Sequence, residues 1–430
     1  MRNVTSPRRD HARPGTRRSR KFLRLGLAGL AGLAGLSISM VQAADRLPWP
    51  PDPPAAQAFA RTAAIAALGH EVFSDTSLSA SGKMACATCH DPAHGFSAPD
   101  ASPVRLGGPN VDKPGIRAVP GLTYLARRPV FTEHFYESED DGDESLDQGP
   151  AGGLTWDGRV DTFADQALIP LMAPDEMANA NTHVLAQRLR AASYATTLRT
   201  LFGATTTDDA TVRAARVALD TYLQQPDTFS SYTSKYDAYL NGTAKLTDAE
   251  ARGLAAFNDP ERGDCIRCHR SGPNAAGEAP SFADYGMSAL ALPRNMAIPA
   301  NRDPDFFDLG LCGPVRTDLS GNPAYCGLFR TPSLRNVALK TSFFHNGVMH
   351  SLRDAVAFYA ERDLKPERWY PRGADGRVMK YNDLPEKYWD NIDRDAPFDR
   401  KPGDRPALTE QEIDDVTAFL QTLTDGYKAP

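Results

Sequence analysis

The sequence predicts a mainly α-helical protein of two domains with long loops, and three observations support this fold class. Residues 86–90 and residues 265–269 share the pattern Cys-x-x-Cys-His. A stretch with helical periodicity or a helix-capping signal precedes each copy. Alternation of apolar and polar residues, which is typical of strands, is scarce in the 430-residue chain. We therefore expect an internal duplication, with an N-terminal domain over residues 44–240 and a C-terminal domain over residues 241–430.

The Cys-x-x-Cys-His pattern is typical of covalent attachment of a c-type haem. Two thiols at this spacing can form thioethers with the vinyl groups on one edge of a porphyrin, and the adjacent His reaches the iron. A zinc site would require four ligands close together, whereas these pairs are far apart; a thioredoxin-like redox pair is the other alternative. We predict two cytochrome c-like domains, each around one covalently bound haem c. The attachment residues are Cys86 and Cys89 with the iron ligand His90, and Cys265 and Cys268 with the iron ligand His269.

The first 43 residues have the pattern of a secretory signal peptide. Residues 1–24 are basic, residues 25–40 form an apolar run, and residues 41–43 offer a small-residue cleavage site. The 16-residue apolar run is short for a membrane span. We therefore predict a periplasmic protein with no stable membrane span after cleavage, with an uncleaved N-terminal anchor as the alternative. In that oxidising compartment, Cys312 and Cys326 are expected to form a disulfide rather than remain buried thiols.

The net charge of the chain indicates which classes of partner this protein could bind. The formal net charge is −6, and the signal segment carries nine Lys or Arg and one Asp, so the processed chain is more acidic still. This balance argues against nucleic acid and favours basic or neutral partners. Residues 133–147 hold eight acidic residues and no Lys or Arg. They are expected to form a solvated loop, or alternatively a docking surface for a basic partner.

Periodicity and capping signals locate the helices. Residues 227–241 are expected to link the two halves, and residues 360–401, which are charged and rich in Pro, are expected to be an irregular surface segment. The predicted helices cover residues 55–73, 182–201, 210–223 and 247–257, and two more begin after Ser351 and Thr409.

Four further motifs give the chain a specific resemblance to the bacterial diheme cytochrome c peroxidase family and, within it, to the MauG-like enzymes. The resemblance runs from residue 63 to residue 423. It implies two cytochrome c-like domains, a peroxidatic first haem, an electron-transferring second haem and a reaction with hydrogen peroxide. The motifs are LSASG at 78–82, WDGR at 156–159, RTPSLRNV at 330–337 and FHNG at 344–347.

The resemblance implies three distal residues above the peroxidatic haem, which in this chain are Gln166, Pro170 and Glu176. Cleavage of bound peroxide requires a proton to move from one oxygen to the other, and a carboxylate can carry it. An amide can hold the peroxide without titrating. Trp156 matches the family Trp that lies between the haems and can carry an oxidising equivalent. The alternatives are an exposed loop acid for Glu176, a helix-surface residue for Gln166 and a core residue for Trp156.

The resemblance also implies the sixth iron ligand of the second haem, fourteen residues after the His of the FHNG motif. His345 is itself expected to bind the haem, and the position fourteen residues after it is Tyr359. The MauG-like enzymes also have Tyr there, whereas other family members have Met. A phenol oxygen stabilises oxidised iron, whereas a thioether raises the reduction potential. The alternatives are a core role for Tyr359 and ligation by Met349.

Two departures from the family pattern concern activation and calcium. Members that need reductive activation carry a His at the position of Leu106, so the first haem is expected to be open here without activation. The family also holds a calcium ion between the haems through an Asn side chain and two carbonyl oxygens. In this chain the Asn position is Ala118 and the carbonyl positions are Lys340 and Ser342. Loss of the side-chain ligand weakens a hard-cation site, which places calcium in doubt.

Three functions follow from these patterns. The first is a MauG-like enzyme that reacts with hydrogen peroxide and uses high-valent haem iron to oxidise a partner protein or another substrate. The second is a cytochrome c peroxidase that reduces peroxide to water with electrons from a small redox protein. The third is a non-catalytic diheme electron carrier. Tyr359 favours the first over the second, and Glu176 and Leu106 disfavour the third. The surface Trp with which MauG reaches its substrate protein corresponds to Gly263, so methylamine dehydrogenase maturation itself is not expected.

Overall fold

Helices make up most of the regular structure in the computed structural model, which describes residues 53–136, 147–203, 206–274 and 276–429. The mainly α-helical prediction is therefore confirmed. The α-helices of the described residues are α1 (Pro53–Ser74), α2 (Cys86–Cys89), α3 (Phe163–Met172), α4 (Thr182–Ala191), α5 (Ala195–Phe202), α6 (Asp208–Leu223), α7 (Pro226–Phe229), α8 (Lys235–Leu240), α9 (Asp248–Asn258), α10 (Leu352–Glu361), α11 (Pro366–Trp369) and α12 (Glu410–Gln421).

Short 3-10 turns and strands connect these helices. The strands pair antiparallel as β1 (Leu106–Gly107) with β2 (Lys113–Pro114), and as β3 (Met287–Ser288) with β4 (Phe329–Arg330). The 3-10 turns are Thr76–Leu78, Pro92–His94, Cys265–Arg267, Pro299–Arg302, Pro323–Tyr325, Val337–Leu339 and Glu386–Asn391.

The first hydrophobic core forms where α1 packs against α6. Gly69 lies at this contact, and a Cβ there would come within 2.0 Å of the carbonyl oxygen of Ala218. Only glycine permits this approach of the two backbones. Leu68 and Leu219 fill the core on either side. Because α3 and α4 also pack against α6, α6 holds together the helices that surround the first haem motif.

The second hydrophobic core repeats this arrangement with α9 and α12. A Cβ on Gly253 would lie 1.9 Å from the carbonyl oxygen of Asp415, so a glycine again brings two helices into close contact. The rings of Phe257 and Phe419 meet at 5.3 Å in this core. In both halves, the helix that precedes a haem motif thus packs on a later helix through a glycine. Residues 53–430 form one compact unit, and the domain boundary at residue 240 stays a prediction.

Most predicted helices are confirmed, and two segments are corrected. Residues 182–201 form two helices rather than one, because the chain becomes extended at Ala192 and the hydroxyl of the buried Tyr194 donates to Asp75 at 2.7 Å. Residues 360–401 are irregular as expected but are not a surface segment. Six of their apolar side chains are buried in the second core, namely Ala360, Tyr370, Tyr381, Leu384, Ile392 and Phe398.

The capping predictions hold at atomic level. Thr247 with Glu250 and Thr409 with Glu412 form reciprocal capping boxes at α9 and α12. Ser351 accepts a hydrogen bond from the backbone N–H of Asp354 at the start of α10. These local signals therefore fix where the second core's helices begin.

The predicted disulfide is present between Cys312 and Cys326. Just outside the loop that it closes, Gly310 lies so near Leu328 that a Cβ would approach the Leu328 carbonyl oxygen to 2.0 Å. Two other predictions lie wholly or largely outside the described residues: the signal peptide at residues 1–43, and the acidic stretch at residues 133–147, of which residues 137–146 are not described. Among the helices that are described, none combines the length and apolar character needed to cross a membrane.

Candidate functional site

The first haem motif and the predicted distal residues line one pocket, here called the first pocket. Cys86, Cys89 and His90 lie on one part of its wall. Gln166, Pro170 and Glu176 line it as well, although they are 76 to 90 residues away in sequence. Neither cysteine is in a disulfide, so both thiols remain available for thioether formation. The structure thus brings together the residues that the resemblance assigned to a peroxidatic haem.

Each motif histidine is oriented by a backbone carbonyl. Nδ1 of His90 lies 3.0 Å from the carbonyl oxygen of Phe96, and Nδ1 of His269 lies 2.8 Å from that of Phe282. A hydrogen bond from Nδ1–H to a carbonyl leaves Nε2 as the metal-binding nitrogen. Burial lowers the pKa of His269 to about 4, although the bond to Phe282 opposes this effect. A neutral imidazole is the form that binds iron.

Sequence reasoning missed Phe96 and Phe282, which have the same backbone feature. Both residues adopt the left-handed conformation with φ of 55°, which is unfavourable for a bulky side chain. Both side chains are nevertheless buried in their cores. The packing of the rings holds a strained backbone in place and aims each carbonyl at its histidine. An aromatic residue shortly after each motif was the available signal, but the distances differ between the two copies.

Both motifs have the features that a c-type haem site requires. The thiols are unbridged, the histidines are held by their Nδ1 atoms, and the surrounding side chains are largely apolar. Apolar surroundings and a histidine fixed by a second hydrogen bond are what haem sites require. The residues present therefore fit two haem groups.

The turn that follows α3 positions Glu176 in the first pocket. The backbone N–H of Gly108 donates to the carbonyl oxygen of Glu176 at 2.7 Å. A Cβ on Gly107 would lie 2.1 Å from the carbonyl oxygen of Asp175, so strand β1 packs directly on the backbone of this turn. Only glycine allows that approach. The β1–β2 ladder is therefore the support that fixes the position of Glu176.

Burial makes the Glu176 carboxyl a weaker acid than an ordinary glutamic acid. It raises the pKa to about 7; the charge of Asp175 adds to the increase and Arg159 opposes it. A carboxyl group with this pKa can release and take up a proton near neutral pH, as a general acid–base group must. The alternative of an exposed loop acid is wrong, because Glu176 lines the pocket.

Trp156 lines the second pocket, which is the cavity around residues 265–269. Its Nε1–H donates to the carbonyl oxygen of Ala118 at 2.8 Å, and its ring centre is 6.5 Å from that of His345. Both rings line the second pocket. The neighbouring Asp157 and Arg159 pair with each other at 2.9 Å, as expected for structural rather than reactive groups.

The second pocket contains Tyr359 together with the second haem motif. Tyr359 lies on α10, lines the pocket with Cys265, Cys268 and His269, and packs its ring on Phe398 at 5.2 Å. Burial raises the pKa of its phenol.

Met349, the rival ligand, is a buried core residue whose backbone pairs with Phe343, and it is not part of the pocket wall. Of the two candidate ligands, Tyr359 is thus the one that the structure places at the second motif.

His345 also faces the second pocket. Its ring stacks on Phe329 with 3.4 Å between centres, and burial lowers its pKa to about 3. The imidazole is therefore neutral at physiological pH.

The position of the activation histidine is solvent-exposed. Leu106 lies on β1 with 51% of its surface exposed and is not part of the first pocket's wall. His90 is the one histidine among the residues that line the described pocket. That the peroxidatic site needs no activation stays a prediction.

The residues at the implied calcium position do not fit a calcium ion. Ala118 is buried and offers a methyl group where the family has an amide oxygen. Lys340 directs its own side chain against Gly121 in the same region. Calcium requires six to eight oxygen ligands, and a lysine ammonium repels it.

Comparison with known proteins agrees with this geometry. Residues 63–245 match the family model of di-haem cytochrome c peroxidases. The methylamine utilization protein MauG of Paracoccus denitrificans is 32% identical over 85% of this chain and 90% of its own. The cytochrome-c peroxidase IdrP1 of a Pseudomonas species is 29% identical over 68% of this chain and 71% of its own. The diheme peroxidase BthA of Burkholderia thailandensis has a solved structure with TM-score 0.74 and 39% identity, covering 84% of this chain and 86% of BthA.

The chain therefore belongs to the bacterial diheme cytochrome c peroxidase family, which includes MauG. This confirms the family predicted from the motifs. Membership implies two haem c groups, in agreement with the two motif-containing pockets.

Proposed function

We propose that this protein is a periplasmic diheme enzyme of the MauG type, which reacts with hydrogen peroxide and oxidises a partner protein or another substrate. One observation carries the proposal. Glu176, a half-buried residue whose pKa is raised to about 7 by desolvation, lines the same pocket as the first Cys-x-x-Cys-His motif. An electron carrier has no use for a proton-transferring group at its haem. The membership in a peroxidase family supports the same conclusion.

Each polar residue of the first pocket is proposed to have a different role in the reaction with peroxide. When bound, the haem iron supplies the redox centre. Glu176 accepts a proton from one peroxide oxygen and returns it to the other, which is then released as water. The amide of Gln166 orients the peroxide without changing charge. Pro170 lacks a backbone N–H, so it contributes an apolar surface to the pocket wall and no backbone donor that could compete for a hydrogen bond to peroxide.

The second pocket is proposed to hold the haem that stores and transfers oxidising equivalents. Tyr359 and His269 are proposed as the two residues that would hold the iron of a haem bound there. Because burial disfavours a free phenolate in this pocket, the positive charge of the metal must stabilise it. Trp156, which lines the second pocket and donates to Ala118, is proposed to lie between the two haems and to carry charge from one to the other.

We further propose the organisation that the sequence predicted. Residues 1–43 are a signal peptide, and residues 44–240 and 241–430 are two cytochrome c-like domains with covalently bound haem. Support comes from two hydrophobic cores, each of which packs against one cysteine motif. Export before haem attachment agrees with the disulfide between Cys312 and Cys326.

The second candidate is a cytochrome c peroxidase that reduces peroxide with electrons from a small redox protein. The similarity to IdrP1 favours it, and Tyr359 at the second pocket favours the MauG-type reaction. Stopped-flow mixing of the fully oxidised protein with hydrogen peroxide separates the two. We expect both haem spectra to change without any added reductant. A protein that reacts only after partial reduction would support the second candidate and overturn the first.

A further inference from the structure

Residues 118–121 line the second pocket, and this segment also approaches the loop that follows the first motif. The backbone N–H of Ala118 donates to the carbonyl oxygen of His345 at 2.7 Å, and its own carbonyl accepts from Trp156. Three residues later, a Cβ on Gly121 would lie 3.6 Å from the carbonyl oxygen of Gly95, in the loop that follows the first motif. A charge placed beside this segment therefore acts on both haems.

The segment has no side-chain oxygen at the position where the family binds calcium. Ala118 is 4% exposed, and its Cβ would lie 3.4 Å from a Cβ built on Gly347. A calcium ion here would depend on backbone carbonyls and water alone, which is a weak site.

Lys340 brings a cation to the same region. It follows the turn Val337–Leu339, and its side chain lies over Gly121. A Cβ on Gly121 would be 3.5 Å from Cε and 3.7 Å from Nζ of Lys340, and 3.6 Å from the carbonyl oxygen of Gly95. The next residue, Thr341, donates to the carbonyl oxygen of Asp100 at 2.6 Å and fixes this stretch against the first motif's loop.

Lys340 also lines the second pocket, together with Arg330. Within the part of the chain that the structure describes, neither side chain forms an ion pair with Asp or Glu. Arg330 is 4% exposed and leaves one guanidinium nitrogen without a protein acceptor. Two cations without carboxylates would repel a divalent ion, and buried cations require an anionic partner. The propionate groups of haem are carboxylates that belong to this site.

We propose that the ammonium group of Lys340 replaces calcium between the two haems. It pairs with haem carboxylate, supplies the positive charge to both sites, and leaves this protein without a calcium ion there. Unlike a bound ion, this cation is covalently part of the chain and cannot be removed by a chelator. The inference rests on the proposed function only in that both haems are bound, and its tests do not depend on peroxide turnover.

The first test measures metal in the two-haem wild-type protein, produced in calcium-supplemented medium. We expect elemental analysis to find far less than one calcium per chain. Dialysis against EGTA, followed by return of calcium, should leave the haem absorbance and both midpoint potentials unchanged. One calcium per chain, or potentials that follow its removal and return, would overturn the proposal.

The second test removes the charge while it keeps the apolar stem, by Lys340→Met. Loss of a nearby positive charge disfavours the reduced iron, so both midpoint potentials should become more negative. Lys340→Arg should retain them, and Lys245→Met, an exposed lysine, is the matched control without effect. Potentials that are unchanged in Lys340→Met would contradict the proposal. If that variant does not accumulate with two haems, the wild-type metal analysis decides alone.

The third test restores the family's ligand with the double substitution Ala118→Asn and Lys340→Ala. We expect this variant to take up one calcium per chain, and its haem potentials to become sensitive to EGTA. Single Lys340→Ala, which lacks the amide oxygen, is its control. Equal calcium content in the wild type and the double variant would count against the proposal.

Discussion

The carbonyl oxygen of Phe282 lies 2.8 Å from Nδ1 of His269, and Phe282 itself adopts the left-handed backbone that aims this carbonyl. Phe96 and His90 repeat the relationship at 3.0 Å with the same φ of 55°. The two motifs thus share an orienting device as well as their cysteines. A device that holds each imidazole at Nδ1 is expected to set ligand strength at both irons.

The number of haems depends on the four motif cysteines. Cys268→Ala should lose or loosen the second haem and destabilise the second core, because that core packs around the motif. Mass spectrometry of the intact chain should show two haems for the wild type and at most one for the variant. The paired change Cys312→Ser and Cys326→Ser removes the disulfide and should still leave two haems. Fewer than two haems in the wild type from a normal export host would refute the assignment.

The carboxyl of Glu176 is expected to be required for peroxide turnover but not for haem binding. Glu176→Gln keeps the volume and removes the proton carrier, so the rate should fall by about 100- to 10,000-fold. Stopped-flow absorbance measures it. Asp175→Asn, which neutralises an adjacent acid outside the pocket wall, should retain most of the rate. Equal rates for Glu176→Gln and the wild type would place proton transfer elsewhere.

The rate of the peroxide reaction should depend on pH with an inflection near 7. Burial raises the pKa of Glu176 to about 7, so the carboxylate that accepts the proton predominates above this pH and disappears below it. The rate should therefore rise through neutrality and then level off. Because the Asp175 charge contributes to the raised pKa, Asp175→Asn should move the inflection to lower pH. An unchanged inflection in Glu176→Gln would show that another group titrates.

The sixth ligand of the second haem should determine its potential. Tyr359→Met supplies a thioether, which favours reduced iron, so the second haem's potential should rise. Met adapts to irregular cavities, so the core should tolerate it. Oxidation of a protein substrate should then fail, while turnover with a reduced cytochrome continues.

Electron paramagnetic resonance of the resting protein checks the ligand directly. Met349→Leu, outside the pocket wall, should leave the spectrum unchanged. A wild-type spectrum that requires His and Met ligation would contradict the assignment of Tyr359.

The backbone contact at Gly107 should control the position of Glu176. Gly107→Ala places a Cβ 2.1 Å from the carbonyl oxygen of Asp175, and such overpacking costs on the order of 1–3 kcal/mol. We expect two haems, a lower melting temperature and slower peroxide turnover. Gly115→Ala is the matched control, since its nearest atom would be 3.8 Å away. Wild-type turnover in Gly107→Ala would show that this strand does not control the active site.

The sequence by itself determined the features that depend on neighbouring residues. The five residues of each motif contain both thiols and the iron ligand, and the capping residues Thr247 and Thr409 act within one helical turn. The resemblance to the family, counted from the WDGR motif, also implied that Gln166, Pro170 and Glu176 share one site, and helix α3 with its following turn carries all three. Such relationships depend on few long-range contacts, so they can be predicted from the sequence without the tertiary structure.

Only the tertiary structure decided the properties that depend on burial and on contacts distant in sequence. The raised pKa of Glu176 requires a pocket that excludes water. The break in residues 182–201 follows from a hydrogen bond to Asp75, and the place of Lys340 follows from its contact with Gly121. Each involves groups more than 100 residues apart in sequence or a dielectric set by the whole core. Local periodicity carries no information about either.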